Sequence, residues 1–151
     1  GKGDWRTCRF APLLTNAVFP VAAPGFFDSL GRAPMMRDVK ESQLIHDQSR
    51  SWWKAFRAAS GATDFDVSQG RLYNQTVLCL DAAARGDGVT LGDEVSTRGY
   101  LEDGRLVCPF EEKLPSPDAY YVARPLGPAS PDAYVIFTEW LKREAQEHRD
   151  W

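Results

Sequence analysis

The sequence predicts an α/β domain, and three observations carry that prediction. Short segments rich in β-branched and aromatic residues alternate along the chain with segments whose apolar residues recur at helical spacing. Hydrophobic residues make up 43% of the 151 and aromatic residues 12%, enough to repay the entropy of ordering a core. Glycines and prolines fall between these segments, where the chain must turn.

After Asp4 and Trp5, RTCRFAPLLTNAVFPVAAP reads as two strands, near 8–14 and 17–23, divided at Thr15-Asn16. Pro24 and Gly25 end the second. FFDSL is then a short helical turn, Gly31 to Pro34 a loop, MRDVKES a short helix capped at Asp38, and QLIHD a strand. SRSWWKAFRAASG places Trp52, Phe56 and Ala59 at helical spacing between a capping serine, Ser49 or Ser51, and the stop at Gly61, so a helix is predicted over about 50–60.

DVSQGRLYN alternates as a strand ending near Tyr73. From Asn74 the period changes, with Val77, Leu80 and Ala84 at i, i+3 and i+7, which predicts a helix over about 75–85 with Asn74 placed to cap it. GVTLG is a short strand and DEVSTRGYLEDG a mostly helical excursion. RLVCPF and AYYVARP are two further strands, separated by a loop around Pro115 and Pro117. Ser130-Pro131 supplies a cap and a first-turn proline to a last helix running to about His148, with Tyr134, Phe137, Trp140, Leu141 and Ala145 on its apolar face.

The net charge of −3 argues against a broad phosphate-neutralising surface, because affinity for nucleic acid rests mainly on Lys and Arg contacts to the backbone. Cys8, Cys79 and Cys108 are odd in number and sit in apolar contexts, so they read as buried free thiols in a reducing compartment, the cytoplasm. Asn74-Gln75-Thr76 matches a glycosylation sequon. Nothing like a signal peptide precedes it, and no apolar run approaches the length of a membrane span, so neither a sugar nor a membrane is expected. The chain opens at GKGDWRTCRF without a methionine and reads as a piece of a longer polypeptide.

LDAAARGDGVTLGDEV has glycines at 86, 88 and 92, which raises the question of a phosphate loop. The dinucleotide fingerprint needs strand, glycine turn, then helix, so that helix N–H groups meet the phosphate. Here a helix runs into Gly86 and a strand leaves Gly88, so the glycines face the partially negative helix end. Gly86 reads as a left-handed helix stop and Gly88 as part of the turn into the strand. The other end of that helix is the better candidate, for at YNQT the backbone N–H groups lack intrahelical partners and the dipole favours an anion. Asn74, Gln75 and Thr76 there are either a ligand site or only a cap facing water.

His46-Asp47 resembles half of a metal or acid/base pair, but the only other histidine is His148 on the last helix, so no metal is expected. No nucleophile elbow or Cys–His arrangement is present. The carboxylates of EDG and FEEK read as a solvated face, and Trp52-Trp53 as core plus rim. Neither an enzyme nor a cofactor is expected.

Seven strings, GKGDW, AVFPVAAP, LIHDQSRSWWKAF, LDAAARGDGVTLG, GRLVCPF, AYYVARP and FTEWLKREAQ, together resemble in their order and gaps the effector-binding domain of LysR-type transcriptional regulators, nearest the glycine-cleavage-activator branch. The resemblance covers nearly the whole chain. It implies a lobe like those of type 2 periplasmic binding proteins, a mixed sheet flanked by helices, with an effector cleft and no catalysis. Residues 1–124 would be the second lobe with a hinge segment at 1–5, and 125–151 a C-terminal helix of the first lobe. The helix-turn-helix domain that reads DNA and the first β–α units of the first lobe have no counterpart in these residues.

The resemblance further implies that a small anionic or amino-acid-like effector is held by Tyr73, Asn74, Gln75 and Thr76, with Lys2 and Gly3 beside the cleft, and that the protein self-associates as a dimer or higher oligomer. Lacking much of the first-lobe wall, these residues alone should bind effector weakly or not at all. The last helix should hide Phe137 and Trp140 against a neighbouring chain or its own second lobe. The competing expectation is a solute-binding protein of a transport system with the same architecture.

Overall fold

The structure, a computed structural model, describes residues 5–48, 50–61, 66–116, 118–127 and 131–149. Along the chain run β1 (Cys8–Leu14), β2 (Ala17–Val21), β3 (Leu44–Asp47), α1 (Ser51–Ser60), β4 (Arg71–Tyr73), α2 (Thr76–Ala84), β5 (Val89–Asp93), α3 (Arg98–Glu102), β6 (Leu114–Pro115), β7 (Tyr120–Pro125) and α4 (Pro131–Arg149). Two compact units result, one from residues 17–115 and one from the segments up to 16 and from 116 onward.

In the unit of 17–115 the strands form one mixed sheet in the order β4-β3-β5-β2-β6. β3 is parallel to both β4 and β5, whereas β2 is antiparallel to β5 and β6. Because successive side chains of a strand point to opposite faces, each strand feeds two cores. Leu44, Val89 and Ala22 join Trp53 and Phe56 of α1, with Met36, Val39, Val67 and Phe110. Ile45, Phe19 and Val21 meet Cys79, Leu80, Ala82 and Ala83 of α2 on the other face, with Leu106, and Tyr100 and Leu101 of α3 close it. A mixed sheet flanked by helices is thus the arrangement found, as the α/β reading requires.

Several local readings need correction. MRDVKES is two 3-10 turns, Met36–Asp38 and Glu41–Gln43, and Asp38 reaches back to the Met35 N–H from the end of the first rather than capping its start. RLVCPF is not a strand; Val107 makes only an isolated bridge to Ala22, and the strand that pairs with β2 is Leu114–Pro115. The helical face of α1 is Trp53 and Phe56, with Ala59 exposed. Arg50 stands at the N-cap of α1 without a side-chain capping bond to the helix, and Ser49 lies outside the described residues. In α2, Cys79, Leu80, Ala82 and Ala83 turn inward, while Val77 is exposed. Gly61 and Gly86 do adopt the left-handed conformation expected after a helix, at φ 70° and 81°.

The other unit is an antiparallel ribbon of β1 and β7, registered from Cys8 opposite Pro125 to Leu14 opposite Tyr120. On one face Trp5, Phe10 and Tyr121 meet edge to face. On the ribbon's opposite side Val122 is buried, and the guanidinium of Arg124 stacks over the Tyr134 ring of α4. α4 turns Thr138 and Ala145 inward, with Tyr134 and Leu141 partly buried. Phe137 and Trp140, expected to be hidden against a neighbouring chain or the second lobe, are 50% and 45% exposed.

The three thiols are free, but only Cys79 is buried; Cys8 is partly covered and Cys108 exposed, which corrects the expectation of three buried cysteines. Burial, aided by the nearby Asp47 carboxylate, pushes the Cys79 thiol up to about 12. A disulfide-exchange reagent at neutral pH should therefore label Cys8 and Cys108 in the folded protein and Cys79 only after denaturant is added. Mass mapping of the labelled peptides checks this.

Candidate functional site

In open α/β sheets the carboxyl ends of parallel strands and the N-termini of the helices that follow them converge, and ligands collect there. β3 and β4 supply such ends, with His46 paired to Leu72 and Asp47 to Tyr73. Beyond them the Gln48 N–H donates to the Tyr73 carbonyl at 2.7 Å, extending the pairing by one step. Gln48 holds φ at 56°, the only left-handed residue other than glycine among those described. Such a conformation costs free energy for a residue with a Cβ, and it marks a sharp change of direction at the strand end.

The chain leaves β4 through Asn74 and Gln75, both exposed, and enters α2 at Thr76. Gln75, not Asn74, is the N-cap; it is extended at φ −146°, its carbonyl receives the first helical bonds, from Leu78 and Cys79, and no side chain caps the helix. Backbone donors of the first turn are therefore left to solvent or a ligand. Tyr73 and Thr76 are partly buried, and Leu72, Val77 and Leu78 add exposed apolar surface nearby. Tyr73, Asn74, Gln75 and Thr76 form this strand-to-helix junction. Lys2 and Gly3 lie outside the described residues.

Asp47 is the neighbour that sequence reasoning missed. The Thr76 hydroxyl donates to its Oδ2 at 2.5 Å, tying the end of β3 to the start of α2. Oδ1 is buried and has no hydrogen-bond partner among the described residues. Asp47 lies on the same strand face as Ile45, two residues earlier, and Ile45 packs on α2; strand alternation was the available signal. Because a carboxylate can only accept, the Thr76 hydrogen is committed and its oxygen is left as an acceptor.

His46 does not join this group as a metal or acid/base partner. Its ring is buried, Nε2 meets the Gln69 carbonyl, and no cluster of metal-binding side chains occurs among the described residues. Burial, assisted by the charge of Arg50, holds the ring below the ordinary histidine range, against the bond to Gln69.

With this geometry in place, comparison with known proteins gives a consistent answer. A family model described as the LysR substrate binding domain matches residues 1–146. The chain belongs to this family. The glycine cleavage system transcriptional activator of Escherichia coli K12 is 29% identical over 99% of the LysR-type chain, which spans 49% of that activator's length. Among solved structures, the effector domain of the transcriptional regulator AmpR of Pseudomonas aeruginosa superposes with a TM-score of 0.83 at 20% identity, covering 99% of this chain and 71% of that one. The AmpR effector binding domain of Citrobacter freundii gives 0.80 at 21%, covering 97% and 72%. At these identities the two structures establish the fold of the LysR-type domain. The Escherichia coli relative is named as a transcriptional activator and the Pseudomonas one as a transcriptional regulator, and a transport solute-binding protein is not favoured.

Proposed function

We propose that this chain is the effector-sensing part of a LysR-type transcriptional regulator, and that a small anionic or amino-acid-like metabolite binds at the start of α2, held by Tyr73, Asn74, Gln75 and Thr76, with Lys2 and Gly3 beside it. One observation carries the reading: in a domain of the substrate-binding family, an uncapped helix N-terminus lies at the carboxyl ends of two parallel strands. Ligand binding shifts the balance between two arrangements of the whole regulator, and a DNA-binding domain elsewhere in it reads the shift. The work is recognition, without catalysis. It takes place in the cytoplasm, where the DNA is, and in a self-associated protein.

Residues 1–124, with a hinge at 1–5, form the second lobe in this reading, and 125–151 contribute a helix to the first. The β1–β7 ribbon, which clusters with α4, is then the stretch through which the chain passes from one lobe to the other.

Thr76→Val tests the site, because it removes the hydroxyl bonded to Asp47 and the oxygen left to accept from the ammonium group of an amino-acid-like ligand. Losing such a bond to a charged group is worth about 1.5–3 kcal/mol, so the effector concentration giving half-maximal transcription from a reporter should rise at least about tenfold. DNA binding without effector should persist. An unchanged response would remove Thr76 from the site.

A further inference from the structure

Ser68, Gln69 and Gly70 form a strap whose three successive carbonyls each accept a hydrogen bond from a side chain of another element. Arg50, at the start of α1, donates from Nε to Ser68 at 2.7 Å and from Nη2 to Gly70 at 3.1 Å. His46 of β3 donates from Nε2 to Gln69 between them. The strap lies close on β3: Gly70 has φ 106°, and a Cβ there would stand 2.3 Å from the Leu44 carbonyl oxygen. Asp66 steadies its start by accepting from the backbone and hydroxyl of Ser68. Directly after the strap comes β4, an edge strand of three residues, and then Tyr73 to Thr76.

The proton inventory of His46 makes this arrangement sensitive to acid. A carbonyl only accepts, so Nε2 carries the ring proton and Nδ1 holds the lone pair. Nδ1 is buried and has no partner among the described residues. A second proton would therefore create a buried donor without an acceptor and a cation beside Arg50. The surrounding elements offer no relief. Asp47, the next residue on β3, turns its carboxylate to Thr76; Asp66, just before the strap, is exposed and bonded to Ser68; and Cys79 of α2 reaches the His46 backbone oxygen, not its ring.

We propose that His46 and Arg50 latch the Ser68–Gly70 strap, and that the latch opens with uptake of one proton by His46, loosening β4 and the turn that leads to α2. The latch is independent of any ligand. Its consequence, that acidification weakens effector binding, rests on Tyr73–Thr76 being the effector site.

The sign follows from linkage. An opened strap exposes a ring with the ordinary histidine value of about 6.5, whereas the closed one holds it lower, so the closed state keeps its full stability above about pH 6.5 and loses it as the pH falls toward the lowered value. One proton per opening means about a tenfold loss of protection for each pH unit in that window.

Amide hydrogen exchange of this chain, corrected for intrinsic rates, reads it. Gln48 and the β4 amides should show lower protection than the α2 core amides Leu80 to Ala83, level above neutrality and falling with a slope approaching tenfold per unit as the pH drops below about 6.5 toward the lowered value of the closed ring. His46→Gln keeps a donor for Gln69 but cannot titrate, and should flatten the slope. Should that variant not fold, ring 15N shifts of the unmutated protein decide: a neutral ring protonated at Nε2 in the closed form at about pH 6 supports the latch. A charged ring with β4 protection intact, or protection independent of pH, overturns it. A flat exchange profile with Thr76→Val still blunting the effector response sinks the latch alone, and the reverse pair of results sinks the site alone.

Discussion

Replacing Trp53 with alanine is expected to destabilise the unit of residues 17–115 by about 3–5 kcal/mol, the range for truncating a buried aromatic side chain. Trp53 is 1% exposed and lies edge to face with Phe56, at the centre of the core between α1 and the sheet. Its indole N–H also donates to the Ile45 carbonyl at 2.9 Å, pinning the helix to the middle of β3. Removing the ring leaves a cavity lined by neighbours such as Leu44 and Val89 that the sheet holds in place. With a urea slope of about 1–3 kcal/mol per molar, the midpoint should fall by 1 M or more, followed by far-UV circular dichroism because an indole is lost. Trp53→Phe should cost less, for the Ile45 carbonyl keeps the Thr90 hydroxyl at 3.3 Å. Trp52, on the rim, should tolerate alanine far better; equal losses at the two positions would mean that α1 is not packed as described.

That same pair illustrates what the sequence could tell. Periodicity located the two strands at the start, α1, α2 and α4, and the strand ahead of the last helix to within a few residues, because each is a local pattern. The inward faces of α2 and α4 were misjudged for a common reason. Ranking by apolarity favoured Val77, Phe137 and Trp140, whereas close approach of a helix to its neighbour admits smaller side chains: Ala82 and Ala83 in α2, and in α4 Thr138 beside the expected Ala145. RLVCPF carries β-type residues but falls where only Val107 can reach a partner, and the residues that pair lie instead in the proline-rich stretch after it. Sheet order and register depend on contacts far apart in sequence and left no local trace.

The candidate site divides in the same way. Asn74, Gln75 and Thr76 are readable as a helix start from the change of period at that point. Asp47, 29 residues away from Thr76, was considered only for its proximity to His46 in sequence, although the two side chains project from opposite faces of β3. The Arg50 and His46 bonds to the strap were likewise invisible, because backbone carbonyls carry no residue identity. What the sequence supplied was the family and the helix terminus, and what the fold supplied was the set of groups gathered around it.

The glycines of LDAAARGDGVTLGDEV give the second large effect, and they separate two uses of glycine within three residues. Gly86 has φ 81°, and a Cβ there meets nothing within 4 Å, so Gly86→Ala should cost only the left-handed penalty of about 1–2 kcal/mol. Gly88 is not left-handed, yet a Cβ there would stand 2.1 Å from the Gln43 carbonyl oxygen and 3.2 Å from Cγ1 of Ile45. Backbone atoms cannot step aside as a side chain can. To admit even alanine, the start of β5 must separate from β3, straining the pairing of Leu44 with Val89 at the centre of the sheet. Overpacking plus a lost ladder bond puts Gly88→Ala at about 2–4 kcal/mol, roughly twice the cost at Gly86. Parallel urea titrations of the two variants check the order. The opposite order would mean that helix termination, rather than the approach of β5 to β3, is what these glycines chiefly provide, and that the sheet tolerates a wider spacing at its centre than the register of β3 and β5 allows.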